Sequence, residues 1–250
     1  MRSRDCKADG LFSWEVLSAQ SGETSWRGAR FALNWLFGYS GVLFLLGLEL
    51  IAILGIILPA PSVRYYLLPV AIVLAIKLAL AYRCGYGRDG SDQMETVVLA
   101  GLFSTLCLLH SRAAPIGVWF IASQAALAYC ASGVSKILSR PWTSGEAAFK
   151  IFNTYAYGTP RIASFLLRTP RMRVPLCWGI IAWECLFPIS LLVPVRVAWV
   201  ILIVGMFFHA FNAFIMGLNK FFWAFLSTYP AILYCNHEAA GWLATSGLPR

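Results

Sequence analysis

Residues 115–145 read PIGVWFIASQAALAYCASGVSKILSRPWTSG. The apolar run Ile116 to Ala131 ends in Ser132-Gly133-Val134-Ser135-Lys136, and Lys136 keeps the helical register of the run. Residues three and four apart are neighbours on a helix, so Tyr129, Ser132, Gly133 and Lys136 share one side. A cation therefore stands beside a notch of small residues. Ionisable groups in apolar spans are costly and mark functional sites by default. The competing reading is that Lys136 marks the membrane edge and snorkels to the headgroups.

The rest of the 250-residue chain fits such a span. It is 59% apolar, 15% aromatic and 12% charged, with a mean hydropathy of +0.69. A soluble domain carries roughly 25% charged residues. The apolar runs are unbroken rather than alternating, so the expectation is an all-α polytopic transmembrane bundle and not a β-barrel. A net charge of +9 could suggest nucleic acid, but the basic residues fall in short loops between apolar runs, which is a topological pattern.

Seven spans are expected, near 38–58, 65–82 and 94–109, then the stretch 115–145 quoted above, then 174–193, 195–217 and 221–235. Residues 1–36, with Trp14, Trp26 and Trp35, read as an N-terminal cytoplasmic or interfacial segment, 37–235 as the bundle, and 236–250 as a short tail. The connection 141–173 mixes aromatic and basic residues too densely to cross. It is expected to lie at the interface as a short helix over 144–155, a Gly158-Thr159-Pro160 turn and a second amphipathic piece. Fifteen Lys and Arg fall in the N-terminal segment and the alternate loops on its side, four fall on the other side, and Lys77 lies within a span. That asymmetry predicts a cytoplasmic N-terminus. No apolar h-region precedes a small-residue cleavage site, so the first span is expected to serve as the insertion signal. The cysteines, Cys6, Cys84, Cys107, Cys130, Cys177, Cys185 and Cys235, show no C-x-x-C spacing and read as small core residues, with no metal site expected.

Five groups inside the spans need partners: Glu49, Lys77, Lys136, Glu184 and His209. Glu49 and Lys77 read as a structural pair on neighbouring spans. Lys136, Glu184, His209 and Asn212 read as a site, because His209 and Asn212 share a helix face and the others stand on different spans. A lysine in a dry pocket can become a neutral amine base, while a nearby carboxylate opposes that shift, so the set is suited to acid–base work on an apolar substrate.

Three segments carry a family resemblance. Tyr129 to Ala147, YCASGVSKILSRPWTSGEA, resembles the Y-x-x-(S/A)-G-x-x-K-L-x-x-x-W-x-x-G segment of the vitamin K-dependent gamma-carboxylase-like, horizontally transferred transmembrane (HTTM) family. Phe208 to Pro230 is similar to its F-H-x-x-N/I-x-x-x-x-G-x-x-x-F segment with a following proline. Glu184 with Phe187-Pro188 fits the E-x-x-F-P helix between them. The likeness covers roughly residues 25–235 in order and hydropathy and is specific in these three segments.

The resemblance implies that Lys136 is the base toward a reduced vitamin K or other isoprenoid quinol, with oxygen and carbon dioxide as co-substrates of gamma-glutamyl carboxylation. It implies catalytic roles for His209 and Glu184 and a quinol pocket lined by Tyr129, Gly133, Trp142 and Asn212, with Gly145 at its entrance. The chain lacks the large extracytoplasmic domain of the animal carboxylase, so a small secreted peptide or a partner protein is expected in place of a propeptide-bearing substrate. Short members imply a bacterial inner-membrane location. Two alternatives stay open: a non-catalytic component of peptide-toxin maturation or immunity, and a DoxX-like quinone-linked protein.

Overall fold

The computed structural model describes residues 13–20, 27–84 and 88–245. Cys6, Trp26, part of the glycine turn near 85–87 and the end of the tail lie outside the described residues. Thirteen α-helices and no strand occur among the described residues: α1 Trp14–Gln20, α2 Arg27–Phe37, α3 Tyr39–Ile57, α4 Leu67–Arg83, α5 Gly90–Cys107, α6 Pro115–Ile137, α7 Arg140–Thr143, α8 Glu146–Phe152, α9 Pro160–Arg168, α10 Arg173–Leu186, α11 Val195–Met216, α12 Asn219–Leu226 and α13 Tyr229–Thr245. The chain divides into two compact units, Met1–Gly117 and Val118–Arg250.

Five helical stretches are long and apolar enough to cross a membrane: Tyr39–Ile57, Val63–Arg83, Pro115–Ile137, Pro170–Leu191 and Val195–Met216. Their outward faces are apolar. Phe44, Ile51, Phe207 and Phe214 are all exposed, the last by 89%. Such surface is untenable in water and fits a lipid environment. The chain is thus an all-helical protein built to associate with a bilayer.

The two further expected spans are modified by local chemistry. Helix α5 has 18 residues, but its first turns are polar, GSDQMET. The Asp89 carboxylate accepts from the N–H groups of Ser91 (2.9 Å) and Asp92 (3.1 Å), and Asp92 accepts from the Asp89 N–H at 3.1 Å. This capping box fixes the helix start in a polar stretch. The expected span 221–235 is interrupted at Ser227-Thr228, between α12 and α13. Pro230 has no N–H for a continuing ladder but is tolerated in the first turn of a new helix. Helix α13 then runs to Thr245, ten residues past the expected boundary at 235.

In the first unit, α3, α4 and α5 pack in sequence, and α1 rests on α2 and α4. The Trp14 indole donates to the Asn34 side chain at 2.8 Å, and buried Arg83 donates to the Phe37 carbonyl at 3.0 Å. The interior tie is ionic. Lys77 Nζ lies 2.9 Å from Glu49 Oε1 and 2.9 Å from Glu95 Oε1, so one ammonium joins three helices. The Glu49–Lys77 pair read from sequence is present, with Glu95 added.

In the second unit, α10 continues as a 3-10 helix over Phe187–Leu191, where Pro188 ends the α-helical ladder. The Asn236 amide of α13 donates to the carbonyls of Ser190 (2.9 Å) and Val193 (2.8 Å), satisfying carbonyls left open there. The connection 141–173 contains the expected short helix, as α8 within 144–155, and the second piece, as α9 after the Gly158-Thr159-Pro160 turn, with the single turn α7 added before them. Gly145 separates α7 from α8 with φ +82°, and a Cβ there would stand 2.7 Å from the Val174 nitrogen. Only glycine meets both conditions without strain.

Replacing Lys77 with methionine strands two carboxylates. The expected loss is about 2 kcal/mol, below the 3–5 typical of a fully buried pair because Lys77 retains partial exposure. Adding Glu49→Gln to that variant should restore part of it. Unfolding temperatures of the purified protein in detergent would check both, and an unchanged Lys77→Met midpoint would remove the ionic tie from the account.

Candidate functional site

One face of α6 carries the site, as the three- and four-residue spacing dictates. Lys136 Nζ lies 2.6 Å from Glu184 Oε2 on α10 and donates to Ser132 Oγ at 2.6 Å. Ser132 Oγ donates in turn to Glu184 Oε1 at 3.2 Å. The three groups form a closed ring, with the Lys136 side chain 15% exposed and that of Glu184 6%. Joined, the two charges are neutral as a pair, which is how such groups are tolerated within apolar helices. Separated, either would be an uncompensated buried charge.

Gly133 permits this contact. A Cβ there would lie 2.5 Å from Cys185 Sγ, 2.9 Å from the Cys185 nitrogen and 3.2 Å from Glu184 Cβ. Helix α10 thus passes close to the α6 backbone beside the ion pair. Gly133 was expected to line a quinol pocket; in the structure it makes a packing contact beside the ion pair and is not among the residues lining the cavity described below.

One turn earlier on α6, the Tyr129 hydroxyl and His209 Nε2 on α11 are 2.7 Å apart, with both residues buried. Tyr129 is enclosed by Phe187, Trp183 and Phe225, at centroid distances of 3.8, 5.1 and 5.1 Å. The His209 ring stacks on Phe225 at 4.7 Å. His209 is therefore held by aromatic packing as well as by its hydrogen bond. Its Nδ1 atom is buried and has no hydrogen-bond partner among the described residues.

Asn212, although one turn from His209, belongs to a different compartment. It lines a cavity of about 550 Å³ whose walls come from α7 to α11, among them Trp142, Phe152, Leu166, Ile180 and Phe208. The two polar side chains on one helix face thus serve separate places: His209 meets Tyr129, and Asn212 meets the cavity. Trp142 links the cavity to the ion pair. It forms part of the wall, and Lys136 Nζ lies 5.0 Å from its ring centroid, within range of a cation–π contact.

Sequence reasoning did not identify Ser132 as a partner of both charges, nor Phe225 as the plate beneath His209. Ser132 was detectable, being four residues before Lys136 on the same face. Phe225 had no local signal, since its contact depends on how α12 folds back along α11.

Gly133→Ala should cost about 1–3 kcal/mol, because overpacking forces the backbones apart. Gly179→Ala on α10 is the control. Its Cβ meets nothing within 4 Å, and alanine favours the helix by about 0.5–1 kcal/mol. Thermal unfolding should move in opposite directions for the two variants, and equal shifts would show that the close approach at Gly133 does not matter.

Compared with protein-family models, curated proteins and solved structures, the chain matches none.

Proposed function

We propose that this chain is an HTTM-like membrane enzyme that oxidises a quinol-type lipid and couples that oxidation to modification of a peptide, in the manner of vitamin K-dependent gamma-carboxylation. The observation that carries the reading is the double position of Trp142, as a wall of the apolar cavity and as a ring 5.0 Å from Lys136 Nζ. A single indole thereby stands between a lysine–carboxylate pair and a space of ligand size, about 550 Å³ and within the ~300–1,000 Å³ usual for small-molecule sites. A quinone head with part of an isoprenoid tail fits the chemistry of this cavity, whose walls are hydrocarbon and aromatic apart from the Asn212 amide and the indole of Trp142.

A bound quinol would supply a dissociable hydroxyl proton and two electrons. The chain's own residues would do the rest. The Asn212 amide can hydrogen-bond a ring oxygen, and Trp142 can pack against the ring face. Lys136 can act as base only as a neutral amine. Passing its proton along the 2.6 Å contact to Glu184 Oε2 would leave the Nζ lone pair available and turn the ion pair into a neutral acid and amine, a form favoured by a dry setting. Ser132, bonded to both, would keep the two groups aligned during that transfer. His209 and Tyr129 would hold α6 against α11 beside this pair. In this proposal oxygen and carbon dioxide are co-substrates, the peptide is a small secreted one or is presented by a partner protein, and the chain sits in a bacterial inner membrane with its N-terminus in the cytoplasm.

The closed Lys136–Glu184–Ser132 ring also favours a second reading: a non-catalytic component of peptide-toxin maturation or immunity, in which the pair only fixes α6 on α10. Lys136→Arg separates the two, because a guanidinium stays charged but preserves an ion pair. Under the catalytic reading, the variant still binds a short-chain quinol, read by quenching of tryptophan fluorescence. Its aerobic quinol oxidation falls by about 10²- to 10⁴-fold, the usual worth of a general base. Full oxidation by a folded arginine variant would discard Lys136 as the base. Mass spectrometry of a co-expressed glutamate-containing peptide, with and without reduced quinone, would test for the gain of carbon dioxide.

A further inference from the structure

The connection between α6 and α10 returns the chain to the side it left, because α6 ends and α10 begins there. Helix α11 ends at the same face, where the Thr159 hydroxyl donates to the Ile215 carbonyl at 2.9 Å. Helices α7, α8 and α9 therefore lie across one end of the second unit's long helices, at the depth of a headgroup layer if those helices cross a bilayer.

That end is basic and partly apolar at its surface. Arg140, Arg161, Arg168 and Arg171 are all exposed. Glu146 is the sole carboxylate between Leu138 and Arg173, and Lys150 pairs with it at 2.6 Å. The adjacent ammonium holds the Glu146 carboxyl below its ordinary value, so its charge is taken up locally. Among the arginines stand exposed Phe165, Leu167 and Met172, residues that suit the acyl boundary. A pocket of about 310 Å³ opens between α8 and α9. Its walls include Phe149, Phe152 and Leu167, with Asn153, Thr154 and Ser164 as polar neighbours. Arg173 supports it from behind, lying 4.7 Å over the Phe149 ring and donating to the Leu166 carbonyl at 2.7 Å. Apolar wall, amide and hydroxyl groups and an excess of guanidinium match the parts of one molecule: acyl chain root, glycerol and phosphate.

We infer that the α8–α9 pocket and the arginines around it form a docking site for an anionic phospholipid headgroup. Charge complementarity selects this occupant, since basic segments beside membrane spans attract anionic lipids, and Arg binds phosphate through a planar fork of donors. The site is separate from the cavity of Trp142 and Asn212 and does not depend on any reaction there.

Native mass spectrometry of the full chain in detergent, offered equal amounts of phosphatidylglycerol and phosphatidylcholine, tests the inference. The wild type should retain phosphatidylglycerol preferentially, and the preference should fall about fivefold for each of Arg161→Gln, Arg168→Gln and Arg171→Gln. Ser164→Trp, which fills the pocket and leaves the charge unchanged, should remove the tightest bound lipid. Equal retention of the two lipids by the wild type would overturn the proposal, as would unchanged preference in the triple arginine variant. Should a variant fail to fold, a photoactivatable headgroup analogue of phosphatidylglycerol added to the wild-type protein decides. Labelling within residues 149–171 supports the site, and labelling confined to other segments overturns it.

Discussion

An ammonium group on an apolar helix has to be neutralised where it stands, and the second unit is arranged around that requirement at Lys136. Glu184 supplies the opposite charge and Ser132 bonds to both, but neither could serve unless α10 came within reach of α6. Gly133 supplies that proximity by leaving no Cβ between the helix and Cys185. One missing methyl and one ion pair thus depend on each other. The small residue sets the helix spacing, and the spacing lets the charges meet at 2.6 Å rather than remain separately exposed to lipid.

The close approach at Gly133 has a counterpart at the helix ends. Gly145 lets the chain turn sharply against the start of α10, which lays α7 to α9 across the end of the unit instead of letting them project outward. The apolar faces of α8 and α9 then meet those of α10 and α11 incompletely, and the unfilled volume is the cavity that Trp142 and Asn212 share. The walls of that cavity are almost wholly hydrocarbon and aromatic, with the Asn212 amide and the Trp142 indole as the polar groups among the residues that line it. The same helices turn Arg161, Arg168 and Phe165 outward, so one amphipathic connection presents an apolar inner face and a basic outer one.

Much of this was legible in the sequence, and the unread parts share a cause. The helical class, Lys136 with its notch, Glu184 and the amphipathic connection follow from composition and from three- and four-residue spacing. So did the Glu49–Lys77 pairing, because successive spans pack against each other. What periodicity could not supply was which side of a helix meets which neighbour. His209 and Asn212 lie on one face, yet α11 borders the aromatic interior around Tyr129 at one level and the cavity at the next, so the pair is divided. The interruption before Pro230 is a different kind of omission. The proline was visible, and its missing N–H weakens a helix continuing through that position, but strong apolarity on both sides outweighed it. Glu95 was overlooked because it stands at the polar start of the expected span 94–109, where a carboxylate needs no buried partner until Lys77 is placed beside it.

The two ionic clusters show why the presence of intramembrane charge does not by itself define a functional site. Lys77 is held symmetrically, 2.9 Å from each of two carboxylates on two helices, an arrangement that binds α3, α4 and α5 together. Lys136 has one carboxylate, a hydroxyl and an indole face. A single carboxylate can accept the proton and leave both groups neutral, whereas two would retain a negative charge after the same transfer. The distinction between a structural cation and a usable base therefore lies in the count of acidic partners and in what else the ammonium faces. By that measure the two clusters differ: Lys136 meets one carboxylate and the face of an indole that also walls the apolar cavity, whereas Lys77 meets two carboxylates.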